Sequence, residues 1–175
     1  MSFVGYATKA VLILEFSPTI ISVVLAGKVG SYITSSIGTM RVTEQIDALD
    51  IMGVNSANLL ILPKILASLV FNPLLIAISI VFGIWGGYLA GIGTGSWSAA
   101  DYITGIQMYM PSHFIWYAFF KTAVFAFLIA TIPAYFGYNV KGGSLEVGRA
   151  STQAVVWTIV AVIITNLVLT QMFLS

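Results

Sequence analysis

The stretch Ile65–Ala100, ILASLVFNPLLIAISIVFGIWGGYLAGIGTGSWSAA, contains no lysine, arginine, aspartate or glutamate, and it decides the fold class. Thr122–Val140 and Ala150–Ser175 share this property. About 20 apolar residues cross the hydrocarbon core of a bilayer as a helix, and each stretch provides a run of that order. With 59% hydrophobic residues and a mean hydropathy of +1.01, the 175-residue chain is too apolar for a soluble domain. We therefore predict an all-α integral membrane protein.

Four membrane-spanning helices are predicted from the positions of the apolar stretches, all within a single domain covering residues 1–175. Residues 1–17 have two possible structures, a loop on the outer side or the tail of a helix. Lys9 and Glu15 interrupt the apolar pattern of this segment. The four spans are placed at about 18–40, 65–90, 114–138 and 154–174.

The basic residues of the loops predict the orientation, because lysine and arginine resist translocation across the membrane. The loops 41–64 and 139–153 carry both residue types, whereas residues 91–113 carry neither. We therefore expect the first two loops in the cytoplasm and both chain termini outside. Lys9, near the start of the chain, disagrees with this assignment.

The most polar stretch lies between the first two spans and reads Arg41-Val-Thr-Glu-Gln-Ile-Asp-Ala-Leu-Asp50. It predicts a short helix at the membrane surface, with Thr43 as the capping residue and Gly53 in the left-handed turn that ends it. Glu44 and Asp47 lie where the helix dipole favours negative charge. A solvated connecting helix without a partner is the alternative. The apolar face of the predicted helix consists of Val42, Ile46 and Leu49.

Small residues recur every four positions in two of the spans, namely Ala26, Gly30, Thr34 and Gly38 in the first and Gly83, Gly87 and Gly91 in the second. Such ridges allow helix backbones to approach closely, and in lipid this packing replaces the missing hydrophobic driving force. We therefore predict that Gly30, Gly38, Gly83 and Gly87 serve helix packing rather than substrate contact.

Two lysines lie inside predicted spans, where an unpaired charge costs several kcal/mol. Lys28 and Lys121 are therefore predicted to help hold an anionic lipid headgroup in or beside a cavity. Snorkelling of the side chains to the membrane surface, or pairing with Glu15, is the alternative that the sequence leaves open.

Catalytic, metal-binding and cofactor-binding residues are not predicted. The sequence has no cysteine, and its one histidine, His113, has no ligand partner at a useful spacing. Gly91–Gly95 is glycine-rich but lacks the lysine of a P-loop, so ATP must be bound by another subunit if it is used. A net charge of +1 gives no reason to expect a nucleic-acid partner.

The run Gly38–Gly53, GTMRVTEQIDALDIMG, resembles the signature of MlaE-type permeases. The resemblance continues through Leu25–Gly30, Leu62–Lys64 and Gly83–Gly87, and it covers nearly the whole chain. Permeases of this type are the membrane subunits of ABC transporters that move phospholipids or related lipids.

The resemblance implies partners as well as a fold. Members of this family form homodimers, work with MCE-domain proteins and lie in the bacterial inner membrane as multi-pass proteins. By resemblance, residues 43–52 form a coupling helix that enters a groove on a separate ATPase subunit. The residues to which the resemblance assigns this contact are Thr43, Glu44, Gln45, Asp47 and Leu49.

The sequence departs from the family pattern in two ways. A complete member has five spans, one of them before the region where this chain begins, so the resemblance implies a longer protein. Ser35-Ser36 stands where Ala-Glu is often seen, which removes a carboxylate near the coupling helix.

Two other functions remain as alternatives. A self-contained secondary transporter or channel requires a coupling carboxylate inside a span, and Glu15 lies only at the edge of a predicted span. A structural subunit of a membrane assembly is supported by the glycine ridges alone, and it leaves the polar stretch 41–50 unexplained.

Overall fold

The computed structural model describes residues 3–174, and no β-strand occurs among them. The helices are joined by short turns. In chain order they are α1 (Phe3–Val42), α2 (Gln45–Ile51), α3 (Ser56–Leu60), α4 (Leu62–Thr94), α5 (Ala99–Gln107), α6 (Ser112–Tyr138) and α7 (Ser144–Leu174).

Four helical segments are long and apolar enough to cross a membrane, namely α1, α3 together with α4, α6, and α7. The predicted all-α membrane fold with four spans is therefore confirmed. The helices extend beyond the predicted spans because polar flanking turns also remain helical. The 31 residues of α7, for example, measure about 46 Å at about 1.5 Å per residue, whereas the hydrocarbon core is about 30 Å thick.

Residues 3–17 are helical and continuous with the first span, so the helix-tail interpretation is right and the loop interpretation is wrong. The charge of Lys9 is accommodated because its Nζ donates hydrogen bonds to the carbonyl oxygens of Ile106 (2.8 Å) and Met108 (2.7 Å). These carbonyls lie at the C-terminal end of α5, where a cation is favoured by the helix dipole. The predicted span began at residue 18 because a hydropathy pattern counts Lys9 and Glu15 as unpaired charges, which are unfavourable inside a membrane.

Two segments of α1 are wound as π-helix, Leu12–Phe16 and Ala26–Gly30. A π-helical turn contains an extra residue per hydrogen-bonded ring, and such turns occur frequently at functional sites. The first segment contains Glu15, and the second contains Lys28 and Gly30. Glu15 and Lys28 therefore both lie in widened turns of the helix.

The loop between α4 and α6 contains a helix, α5, that the sequence analysis did not predict. Ser98 caps its start by accepting a hydrogen bond from the backbone N–H of Ala100 at 3.3 Å. Tyr102 anchors it, with an exposed fraction of 1% and a hydroxyl that donates to the carbonyl oxygen of Ile84 at 3.0 Å. Burial raises the pKa of Tyr102, while a hydrogen bond with Thr8 opposes this shift.

Helix α6 is the central span, with 44% of its most apolar window buried against 17% for α7. Phe125, Ala126, Ile129 and Ala130 are each fully buried and pack against α1 and its neighbours. The core therefore lies around α6, and the other spans present large apolar side chains to the outside, as lipid-facing helices do.

The glycines of α1 lie at close contacts between spans. A Cβ atom built on Gly30 would lie 3.1 Å from Cγ of Pro133 in α6, and one on Gly38 would lie 3.1 Å from Cγ1 of Val147 in α7. Contacts of this length are tighter than ordinary van der Waals packing, so larger residues would force α1 away from its neighbours.

Two glycines of α4, Gly83 and Gly87, face the start of α1 and the short helix α5. A Cβ on Gly83 would lie 2.8 Å from Cδ2 of Leu12, and one on Gly87 would meet the hydroxyl of Tyr102. The absence of side chains at these positions lets α4 approach both elements.

Gly137 makes a close helix contact that the spacing argument missed. A Cβ there would lie 2.7 Å from the carbonyl oxygen of Thr34, which is a backbone atom and cannot move independently. Thr34 is itself fully buried and its hydroxyl donates to the carbonyl oxygen of Pro133 at 2.9 Å. A single glycine without a four-residue repeat gives no ridge signal, so the sequence did not reveal it.

Candidate functional site

Helix α2 follows the first span and begins two residues later than predicted, at Gln45. The assignment of Thr43 as its cap is wrong, because the Thr43 hydroxyl donates to the carbonyl oxygen of Thr39 at 2.8 Å and so belongs to the end of α1. Glu44 occupies the capping position with a left-handed backbone, φ +61°, and its side chain makes no capping bond. A non-glycine residue in this region carries a strain of about 1–2 kcal/mol.

The apolar face of α2 attaches it to the membrane domain, as predicted. Ile46 is fully buried in a cluster with Ile33 and Ile37 of α1 and Ala134 of α6. Leu49 of α2 is half-buried, and so is Val42, which was predicted to share this face but is the last residue of α1.

A salt bridge also ties α2 to the end of α1. Arg41 Nη1 lies 2.9 Å from Asp47 Oδ1, and the guanidinium lies over the ring of Tyr138 at 5.3 Å from its centroid. The buried Ile46 therefore holds α2 against the membrane domain, and the exposed salt bridge adds a second contact with α1.

The end of α2 has the predicted turn. Gly53 adopts φ +77°, and the backbone N–H of Val54 donates to the carbonyl oxygen of Leu49 at 3.1 Å. This left-handed closure suits glycine because it has no Cβ atom. The turn leads directly into the short helix α3.

The outward face of α2 combines acidic and apolar side chains. Of the residues predicted to contact an ATPase, Leu49 is half-buried, and the exposed ones are Thr43, Glu44, Gln45 and Asp47. Ile51 and Met52 are also exposed, at 87% and 68%, and the sequence analysis did not include them in the site. Large apolar side chains at the tip of a polar helix beyond the membrane spans indicate a protein contact.

Lys121 lies in the interior of the membrane domain and has an exposed fraction of 0%. Its Nζ is 2.8 Å from Oε1 of Glu15 and donates to the carbonyl oxygen of Leu14 at 3.0 Å. The hydroxyl of Thr170 in α7 donates to the same Glu15 oxygen at 2.9 Å. The structure therefore pairs Lys121 with Glu15, which was the alternative to contact with a lipid headgroup.

The position of Glu15 differs from the prediction. It lies well inside the helix Phe3–Val42 rather than at the edge of a span, because α1 begins earlier than expected. Its carboxylate is already engaged by Lys121 and Thr170, and these contacts join α1, α6 and α7.

Lys28 lies in a different environment from Lys121. It is exposed on α1 and lines a cavity of about 440 Å³ together with Tyr32 and Ser35. Lys121 bonds to Leu14 of α1, whereas Lys28 is itself a residue of α1. Leu14 and Lys28 are about 20 Å apart along the helix at about 1.5 Å per residue. The structure therefore does not bring Lys28 and Lys121 together.

Two apolar cavities flank α4. One, of about 310 Å³, is lined by Ile13, Pro73 and Phe119 among others. The other, of about 250 Å³, lies between α1 and α4 and includes Val29 and Asn72. Walls of this composition suit hydrocarbon chains.

These features define a multi-pass α-helical membrane protein whose polar helix α2 projects beyond the spans with an exposed apolar tip. Within residues 3–174 no group of histidine, cysteine or acidic residues is arranged to hold a metal ion. Comparison with known proteins narrows the class to transporter components. The family profile described as Permease MlaE matches residues 1–172, and the chain belongs to the MlaE permease family.

Individual relatives agree with the family. A probable ABC transporter permease protein of Rickettsia bellii is 38% identical over 95% of this chain and 65% of its own length. The intermembrane phospholipid transport system permease protein MlaE of Haemophilus influenzae is 29% identical over 95% of this chain and 64% of its own. The chain thus spans about two thirds of the length of these relatives, and the predicted resemblance is confirmed.

Proposed function

We propose that the chain is the permease subunit of an ABC transporter that moves phospholipid or a related lipid. In this proposal it acts as a homodimer in the bacterial inner membrane with a separate ATPase and an MCE-domain protein. The family membership supports the permease role, and the name of the Haemophilus influenzae relative supports phospholipid as the substrate class.

The observation that carries the proposal is the construction of α2. Ile46 is buried in the membrane domain, whereas Ile51 and Met52 at the other end are exposed. A force applied by a partner at the tip is therefore transmitted through a short rigid helix to α1 and α6, which Ile46 contacts. This arrangement suits transmission of ATP-driven movement better than binding of a lipid.

The secondary-transporter alternative requires a free coupling carboxylate in the membrane. Glu15 lies within the helix Phe3–Val42, and its partners Lys121 and Thr170 belong to the same chain, whereas Glu146 lies in the first turn of α7 and pairs with Arg149. A carboxylate held in this way favours a structural role, so the permease proposal stands ahead of the alternative.

Charge reversal on α2 tests the ATPase contact. Glu44→Arg and Asp47→Arg are each expected to reduce co-purification of the ATPase subunit about ten-fold. An unfavourable charge costs about 1 kcal/mol at the rim of an interface and several kcal/mol at its centre, and a loss of about ten-fold lies at the lower end of this range. Lipid-stimulated ATP hydrolysis by the purified complex should fall in parallel. Glu44→Gly is the matched control for the backbone, since glycine accepts φ +61° without strain. Unchanged assembly and unchanged hydrolysis in both arginine variants would refute the contact.

For Lys28 the proposal is a role in lipid headgroup contact. Its cavity is also lined by the polar residues Ser31, Tyr32 and Ser35, a composition that suits a phosphate or ester group. Lys28→Gln is expected to slow transport of a fluorescent anionic phospholipid in proteoliposomes about five-fold, as about 1 kcal/mol of lost attraction predicts. Lys28→Arg, which keeps the charge, should retain most of the activity. Equal transport by wild type and Lys28→Gln would remove Lys28 from the proposal.

A further inference from the structure

A second polar cavity lies at the end of the bundle where α6 ends and α7 begins. Its volume is about 440 Å³, within the range of roughly 300–1,000 Å³ of small-molecule sites. It is separate from the cavity of Lys28 and from the two apolar cavities beside α4. The side chains that give it its chemistry are Tyr135, Lys141, Glu146, Arg149 and Gln153.

The turn between the two helices shapes this cavity. Gly142 adopts φ +119°, a conformation that a residue with a Cβ atom adopts only under strain. A Cβ there would also lie 2.9 Å from Cγ of Glu146, so the turn packs directly against the first turn of α7. Glu146, Arg149 and Gln153 follow at spacings of three and four, which places them on one face of α7.

The charges of the cavity do not cancel. Arg149 Nη1 lies 2.9 Å from Glu146 Oε1, so this pair is internally compensated. Within residues 3–174, Lys141 makes neither an ion pair nor a side-chain hydrogen bond. The cavity therefore has one uncompensated positive charge, and its arginine has further N–H groups that do not face Glu146.

The depth of the cavity matches the lipid headgroup layer. Helix α6 contains 27 residues and measures about 40 Å, so its last turn extends beyond a hydrocarbon core of about 30 Å. Tyr135, in that region of α6, is 66% exposed, and exposed tyrosines are typical of the membrane–water interface. A basic cavity between spans at this level is suited to the headgroup of an anionic lipid.

We propose that this cavity binds the phosphate group of an anionic phospholipid of the surrounding leaflet, with Lys141 and Arg149 as its ligands. The lipid is a stationary partner of the permease, and its site is separate from the Lys28 cavity proposed above to contact the transported lipid. It joins the end of α6 to the start of α7 by bridging Lys141 in the turn and Arg149 on the helix.

A lipid titration of the purified full chain in mild detergent tests this site without requiring transport. Phosphatidylglycerol is expected to bind and to raise the unfolding temperature, whereas phosphatidylcholine and inorganic phosphate at equal concentration are not. Lys141→Gln and Arg149→Gln should each weaken phosphatidylglycerol binding about five-fold, since each basic residue near a membrane surface contributes about 1 kcal/mol. Lys64→Gln, the same charge change outside the cavity, should weaken it less than about two-fold.

A gain of affinity distinguishes the site from a folding effect. Glu146→Gln frees Arg149 and is expected to tighten phosphatidylglycerol binding about five-fold, which loss of structure cannot produce. Equal binding of phosphatidylcholine, or no change in any of the three cavity variants, would overturn the proposal. So would competition by inorganic phosphate at equal concentration, which indicates a site for soluble anions. Loss of ATPase capture in Lys141→Gln with unchanged lipid binding would instead indicate a protein contact.

Discussion

Glu15→Leu is expected to lower the free energy of unfolding by about 3–5 kcal/mol, the largest stability effect of the substitutions considered. The reason is the position of Lys121, whose side chain has an exposed fraction of 0% and whose ammonium is 2.8 Å from the Glu15 carboxylate. Without Glu15, whose own side chain is 38% exposed, this buried ammonium retains the Leu14 carbonyl oxygen but loses the carboxylate that balances its charge.

The double variant Glu15→Leu/Lys121→Met provides the control. It removes both charges together, and replacement of a buried ion pair by apolar residues is often neutral for stability. We therefore expect it to recover most of the lost stability, with an interaction energy of several kcal/mol in the double-mutant cycle. The measurement is the free energy of unfolding in a mixed-detergent SDS titration. Two additive single effects would show that Glu15 and Lys121 do not stabilise the fold as a pair.

The pair contrasts with the exposed salt bridge at α2. Arg41 and Asp47 also lie 2.9 Å apart, but their side chains are 31% and 57% exposed. Exposed pairs contribute about 0–1 kcal/mol. The same charge chemistry thus has a large structural effect inside the membrane domain and a small one at its surface.

The membrane fold was predictable because hydropathy depends on composition along the chain and not on tertiary contacts. Charge-free runs such as Ile65–Ala100 reveal a span without any knowledge of its neighbours. The start of α1 was not predictable in this way, because Lys9 finds its partners almost a hundred residues away, at Ile106 and Met108. Long-range pairing of a charge leaves no local signal.

The local structure of α2 was predicted in part. Ile46 is buried, as the helical spacing of apolar residues required, and Gly53 has the left-handed conformation expected at the helix end. Thr43 was wrong as a cap because its hydroxyl has a competing acceptor, the Thr39 carbonyl oxygen one turn earlier. Ser/Thr side chains often form this bond to the preceding turn, and sequence alone does not decide between the two.

Helix α5 was missed although a signal for it was present. Ser98 precedes Asp101 by three residues, which is a pattern of helix starts. With nine residues α5 is too short to show a long helical pattern of apolar residues, and it lies in a connection between two spans. Helical spacing places Ile51 on the outward face of the helix together with Glu44 and Asp47, but an apolar side chain in a polar stretch gives no sequence signal that it belongs to a contact site.

Ile51→Asp is expected to weaken binding of the ATPase subunit at least about 30-fold, more than either charge reversal on α2. Among the residues that the structure describes, Ile51 is the most exposed large apolar side chain, at 87%, so it contributes little to the fold and is free to enter a pocket on a partner. Truncation of a central interface residue commonly costs 2 kcal/mol or more, which corresponds to about 30-fold, and a buried unpaired carboxylate adds to that cost.

The appropriate measurement is the affinity of the detergent-purified permease for the isolated ATPase subunit, together with lipid-stimulated ATP hydrolysis of the mixture. Ile103→Asp is the matched control, because Ile103 is also an exposed isoleucine, at 44%, but belongs to α5 at the opposite end of the bundle. The unfolding free energy of Ile51→Asp should stay within about 0.5 kcal/mol of wild type, as for other surface substitutions. Wild-type ATPase affinity in Ile51→Asp would exclude the tip of α2 as the contact. A loss of ATPase affinity in Ile51→Asp with normal folding means that the free energy of association resides in the apolar tip. In that case the acidic residues of α2 orient the helix and do not anchor it.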